Sequence, residues 1–192
     1  AELNPSLFFF MTQFVENLNF ILAIGALLMQ AATVLLLLSF FLEKEKGFFQ
    51  VIADMAGRWG MHISFLLFLA TTGMSLYYSE VLGFVPCGLC WLQRIFMYPQ
   101  VVLFGLAVWK KDNKIADYSI ALSVCGALVA LYQHYLQMGG PELVPCPAIA
   151  QAGDCAQRIL FEFGYITFPL MAFSTFAFAI ALMLFVRKRI LI

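Results

Sequence analysis

Polar residues interrupt this chain only at intervals, and the apolar stretches between them are long. A helix needs about 20 predominantly apolar residues to cross the ~30 Å hydrocarbon core of a bilayer. Five windows meet that requirement: residues 18–42, 61–79 (extending to 82 through Glu80), 89–109, 118–138 and 165–186. The first and fifth carry no formal charge, the third carries Gln93, Arg94 and Gln100, and the fourth carries His134 near its far end. No basic residue precedes the first window and its apolar core is too long for a cleaved signal, so it reads as a retained span. Between spans one and two, Phe48, Val51, Ile52 and Met55 recur at roughly helical spacing within residues 47–59. They predict an amphipathic helix lying on the cytoplasmic membrane face, the alternative being an extension of span two.

Composition agrees with the pattern and excludes other classes. Hydrophobic residues make up 63% of the 192-residue chain and charged residues 11%, with a mean hydropathy of +0.91. A soluble domain carries about 45–50% apolar and about 25% charged residues. Eleven Lys+Arg balance eleven Asp+Glu, which excludes both a basic nucleic-acid face and a disordered chain. The fold class is therefore an all-α integral membrane protein built as one bundle.

Basic residues assign the loops to sides. Lys44, Lys46 and Arg58 fall between spans one and two, Lys110, Lys111 and Lys114 between three and four, and Arg187, Lys188 and Arg189 after span five. These alternate loops predict a cytoplasmic C-terminus and an outer N-terminus; in a bacterial plasma (inner) membrane that outer side is the oxidising one. Residues 1–17, 83–88 and 139–164 then lie outside.

On that reading four of the five cysteines face the oxidising side, where disulfides persist. Cys87 and Cys90 form C-G-L-C at the start of span three, and Cys146 and Cys155 lie in the long outer loop. Structural bridges, a metal site and a redox relay all remain open for two such pairs. A staple explains Cys146 and Cys155 tolerably, since closing a ~15-residue loop stabilises by about 3 kcal/mol. It explains C-G-L-C poorly, because a bridge across two intervening residues constrains little unfolded chain. That spacing suits dithiols that cycle, and a helix N-terminus raises the thiolate fraction. Zinc fits one C-x₂-C half-site, but the second pair has eight intervening residues, so no metal is assigned. Trp91 stands where C-x-x-C-H haem attachment needs histidine. Cys125, in the middle of span four, reads as a small buried core residue.

Arg94 lies four residues after Cys90, on the same helix face and about 6 Å further along the axis. It either snorkels to lipid headgroups or places a fixed positive charge beside a thiolate and its electron acceptor. His134 and Gln137 approach the same outer boundary from span four.

The run C-G-L-C-W-L-Q-R-I-F-M-Y-P, from Cys87 to Pro99, closely resembles the disulfide bond formation protein B (DsbB) family of quinone-reducing membrane thiol oxidases. G-D-C-A-Q-R (Gly153 to Arg158) and F-G-Y-I-T-F-P (Phe163 to Pro169) resemble the segment around that family's last cysteine and last helix. The similarity covers about residues 61–186, and the C-x-x-C precedes the loop cysteines, unlike the order in the related vitamin K epoxide reductase family. The resemblance implies a four-helix transmembrane bundle, here with one extra N-terminal transmembrane helix. It divides the chain into 1–60 (outer segment, extra helix and amphipathic segment) and 61–192 (a DsbB-like four-helix redox domain). The loop between the second cysteines is shorter than in the best-known members and resembles the shorter-loop branch.

The same resemblance implies the roles. Cys87 and Cys90 pass electrons to a quinone (ubiquinone or menaquinone), with Cys90 nearest the ring and Arg94 and His134 in the quinone site. Cys146 and Cys155 exchange with a soluble thioredoxin-fold, DsbA-like oxidant, Cys146 forming the mixed disulfide. The chain is expected to be a quinone-dependent protein disulfide oxidoreductase whose partners are that oxidant, membrane lipid and quinone, with no nucleic acid. The alternative is a non-catalytic membrane protein with structural disulfides or a Cys₄ zinc site.

Overall fold

A computed structural model describes residues 5–42, 47–147 and 153–191. Its helices are α1 (Pro5–Leu42), α2 (Phe48–Leu76), α3 (Gly88–Lys110), α4 (Ile115–Gln137) and α5 (Phe168–Leu191), and α2 runs directly into a π-helical turn, Tyr77–Val81. All five are long and apolar enough to cross a membrane, one for each predicted window. Lys44 and Lys46, used in assigning sides, lie outside the described residues.

The ends differ from the sequence expectation for local reasons. Helix α1 starts well before residue 18, because Pro5 suits a first helical position and the polar residues Thr12, Gln13, Glu16 and Asn17 do not break a helix. Helix α5 starts at Phe168 rather than 165. Phe163 and Gly164 take positive φ values of 53° and 78°, and a Glu162–Ile166 bridge closes the turn before the helix.

The separate amphipathic helix expected at 47–59 is corrected: residues 48–59 are the first part of α2, which continues unbroken to Leu76. Nothing there interrupts the helix, and Gly57 and Gly60 serve close packing instead. A Cβ on Gly60 would lie 3.0 Å from Val186 Cγ2, and one on Gly57 would strike the Arg189 side chain. Ala56 and Gly60 turn inward, while Phe48, Val51, Met55 and Trp59 are exposed.

Helices α2 to α5 form a closed ring in which each packs on its neighbours in sequence and α5 returns to α2. Helix α5 is the most enclosed, 61% of its span window being buried against 22–33% for the others. Phe68 of α2, Phe104 of α3 and Phe176 of α5 meet at the centre, the first two stacked at 5.6 Å. Helix α4 meets this core with small residues, Ser119, Ser123, Gly126, Ala127 and Ala130, as membrane helices do where backbones approach closely. Cys125 is therefore corrected too. It is exposed, because it falls between the positions of that small-residue face. Ser119 donates to Gln100 Oε1 at 2.7 Å and Gln100 Nε2 to Ser123 at 3.2 Å, tying α3 to α4.

Helix α1 packs outside the ring against α2 and α5. Ala23 and Ala26 are buried there against Leu160, Ile166 and Leu170.

Candidate active site

At one end of the bundle, α3 begins where the chain can bring two sulfurs together. Cys87 is the N-cap of α3 and its sulfur accepts a hydrogen bond from the Cys90 backbone N–H at 3.3 Å. The Cys87 and Cys90 sulfurs are 2.7 Å apart and not bonded. Cys146 and Cys155 form a disulfide with a Cα–Cα distance of 6.1 Å. Both pairs belong to one packed cluster with Leu89, Leu136 and Tyr132. Within it Cys87 and Cys155 are buried, at 3% and 1% exposure, whereas Cys90 and Cys146 are partly exposed.

The hydrogen bond between the sulfurs, with burial second, holds the Cys87 thiol far above its ordinary pKa.

The loop is fastened to α4 from several directions. Tyr132 O–H donates to the Val144 carbonyl at 2.6 Å and accepts from the Val144 N–H at 2.7 Å. Within the loop, Glu142 Oε1 accepts from the Cys146 N–H at 2.7 Å. Gln137 Nε2 donates to the Gln157 carbonyl at 2.8 Å, and Arg158 Nε donates to the Gln137 carbonyl. The loop also lies close against α3 at Gly88, where a Cβ would overlap the carbonyl oxygen of Pro147. Gly88→Ala is expected to displace the loop and destabilise the protein by about 1–3 kcal/mol, as overpacking does. A lowered thermal midpoint in detergent, with faster reduction of Cys146–Cys155 by external thiol, checks it.

Gln133 joins the two pairs, and sequence reasoning missed it. Its Nε2 lies 3.0 Å from the Cys87 sulfur, 3.2 Å from the Cys90 sulfur and 3.5 Å from the Cys155 carbonyl oxygen. Its Oε1 accepts from Gln93 Nε2. A buried amide with donors on two sulfurs stabilises negative charge on either and fixes where both sit. The signal available was polarity: a glutamine within an apolar span needs an internal partner.

Arg94 is buried, with 8% exposure. Ser75 of α2 takes its Nε through the hydroxyl and its Nη2 through the backbone carbonyl, both at 3.0 Å. The guanidinium also lies 5.0 Å from the Trp91 ring centre and 5.9 Å from that of Tyr98. It is held inward and does not snorkel. His134, expected beside it, instead bonds Thr167 Oγ1 through Nδ1 at 2.9 Å. One helix position turns it by about 100° from Gln133, and the α4 side chains that reach the site are Gln133 and Gln137.

Beside the sulfurs is a cavity of about 480 Å³, bounded by Cys87, Cys90, Arg94, Gln133 and Gln137 at its polar end. Apolar side chains such as Met74, Met97 and Phe168 line much of the rest, together with polar residues that include Tyr78, Asp154 and Gln157. Gln137 Oε1 is buried with no hydrogen-bond partner among the described residues, an acceptor that a ligand donor would satisfy.

Comparison with known proteins follows this geometry. Residues 57–186 match the family model described as disulfide bond formation protein DsbB. The chain is 43% identical over 109 residues to the probable disulfide formation protein C 1 of Bacillus anthracis, covering 57% of this chain and 77% of that protein. It is 32% identical over 123 residues to the disulfide bond formation protein C of Bacillus subtilis, covering 64% and 88%. It is 34% identical over 117 residues to the probable disulfide formation protein of Chlamydia caviae, covering 60% and 82%. No solved structure matches the chain.

Proposed function

Because the chain belongs to the disulfide bond formation protein DsbB family, we propose that it is a thiol oxidase that carries electrons from a soluble thioredoxin-fold dithiol, through its two cysteine pairs, to membrane quinone. Membership gives the coarse function, disulfide bond formation at a membrane. The observation that carries the finer reading is the continuous arrangement of a partly exposed sulfur (Cys146), two buried ones (Cys155 and Cys87) and a cavity-lining one (Cys90).

Each step between thiols exchanges one disulfide for another, and the last step passes the two electrons to the acceptor, so electrons balance throughout. The partner thiolate attacks Cys146, the accessible sulfur, and Cys155 leaves. The partner's second thiolate resolves the mixed disulfide, and the partner departs oxidised with two electrons left on the loop pair. Cys155 attacks Cys87 of the Cys87–Cys90 disulfide and frees Cys90, and Cys146 closes on Cys155 to restore the loop bridge. Cys90 then gives up the electron pair into the cavity and re-forms its bond with Cys87. A bound quinone supplies the acceptor, taking two electrons and two protons and leaving as quinol.

The cavity suits that acceptor. Its apolar walls match a lipid-soluble ring and tail, Arg94 offers a cation for developing negative charge, and Gln137 Oε1 can accept from a hydroxyl. The rival Cys₄ zinc site needs four free thiolates, whereas Cys146 and Cys155 are joined to each other. Orientation follows the charges: Lys110, Lys111, Lys114 and the Arg187–Asp117 pair, at 3.1 Å, lie at the opposite helix ends. The cysteines then face the extracytoplasmic side of a bacterial plasma membrane.

Direction is tested at the loop. When Cys155→Ser is mixed with an oxidised thioredoxin-fold partner, the Cys146 thiolate should open the partner disulfide and hold it as an adduct. Peptide mapping of the non-reduced complex should place the bond on Cys146. An adduct on Cys90 would reverse the assignment.

A further inference from the structure

Helix α1 begins and ends before the residues matched to the family, yet it forms a wall of the cavity beside the sulfurs. Ile21, Leu22, Gly25, Ala26 and Met29 line it. We propose that α1 is part of the acceptor site, walling the cavity from its seat against α2 and α5 and limiting the bulk of acceptor it admits. This rests on the reading that the cavity takes a quinone.

Two polar clamps bracket the lining stretch. Tyr78 O–H donates to Asn19 Oδ1 at 2.5 Å on one side, and Gln30 Nε2 donates to Ser174 Oγ at 3.0 Å on the other. Within lipid such bonds give a helix a fixed seat, because the alternative is an unpaired polar group in hydrocarbon. Between them Ala23 and Ala26, at 0% and 2% exposure, let α1 approach α5 closely. Gly25 does something different. Gly25 is exposed, and a Cβ built there meets no atom of the described residues within 4 Å, so a side chain at this cavity-lining position has open space to enter. The clamp also reaches the chemistry: Tyr78 lines the cavity and follows Ser75, the residue holding Arg94, by three positions.

The test uses the purified full chain with Gly25→Ala, Gly25→Leu and Val34→Phe. Val34 is exposed, and nine residues at about 100° each place it on the opposite face of α1. With a reduced thioredoxin-fold dithiol as donor and a short-tailed ubiquinone analogue as acceptor, Gly25→Leu should raise the apparent quinone KM by ~10-fold or more, the scale of a filled site. Gly25→Ala should fall between it and the wild type, and Val34→Phe should not differ from wild type. Stoichiometric oxidation of the dithiol without quinone should be unchanged in all three. A wild-type quinone KM in folded Gly25→Leu would overturn the proposal. Failure of the wild type itself to reduce quinone would instead overturn the function it rests on. Should Gly25→Leu not fold, Gly25→Cys gives a second measurement. Quinone should slow its alkylation by a lipid-soluble maleimide while leaving exposed Cys125 unaffected. Equal alkylation of residue 25 with and without quinone would contradict a role for α1.

Discussion

Serine at any one of Cys87, Cys90, Cys146 and Cys155 is expected to reduce steady-state turnover to background, whereas Cys125→Ala leaves it unchanged. A serine oxygen cannot form the disulfide that each exchange requires, so the loss is of the reaction itself rather than of some binding energy. The variants should stop at two stages, according to which cysteine pair is broken. Cys146→Ser leaves the partner reduced, because the accessible sulfur is gone. Cys87→Ser and Cys90→Ser still allow the loop disulfide to oxidise one equivalent of dithiol, but no quinone is consumed. Cys125 is exposed on α4, away from the small-residue face and the cavity, and takes no part. Quenched-flow thiol counting together with quinone absorbance distinguishes these arrests. Full turnover by Cys87→Ser would break the proposed route.

Arg94→Met is expected to impair the accepting half of the cycle selectively. Methionine keeps much of the length and removes the cation. Losing a charge-assisted contact to a buried anion costs about 1.5–3 kcal/mol, roughly one to two decades in rate or affinity. Arg94 is also a clamp between α3 and α2 through Ser75, so a fall in activity alone would not separate chemistry from structure. The separation comes from the donor side. Single-turnover oxidation of the dithiol by the loop pair should remain near normal while quinone KM rises or quinone-dependent kcat falls. Equal loss in both halves would make Arg94 a structural clamp only.

The spans were legible because the bilayer imposes a length, and each apolar window of sufficient length became one helix. Helix ends were less so. Polar residues such as Gln13 and Glu16 read as the end of a span, but a helix continues through them, and α1 therefore extends to Pro5. Gly57 and Gly60 carried no signal in the pattern of apolar positions, yet their lack of a side chain is what lets α2 lie against α5.

Within the site, chemically distinctive residues were legible and the neutral ones were not. The four cysteines and Arg94 stand out in an apolar chain by type and spacing. His134 drew attention for the same reason, but the adjacent Gln133 holds the sulfurs, since a helix turns by about 100° per residue. Residue type alone does not say which of two neighbours faces the core. Cys125 shows the converse: Ser119, Ser123, Gly126, Ala127 and Ala130 mark the packed face of α4, and reading them together would have placed Cys125 off it. The cavity wall supplied by α1 had no sequence signature, because it depends on how a separate helix seats against the ring.

The central claim is that electrons from a protein dithiol arrive on quinone through this chain. Its most direct test mixes the purified full chain with a reduced thioredoxin-fold dithiol and a ubiquinone analogue, following quinone absorbance and thiol content together. The account predicts that quinol forms mole for mole with the protein disulfide, and that with Cys90→Ser no quinol forms and dithiol oxidation stops at one equivalent per chain. Dithiol oxidation that stops at the protein's own cysteines with no loss of quinone, or one zinc per chain with no turnover, would contradict it.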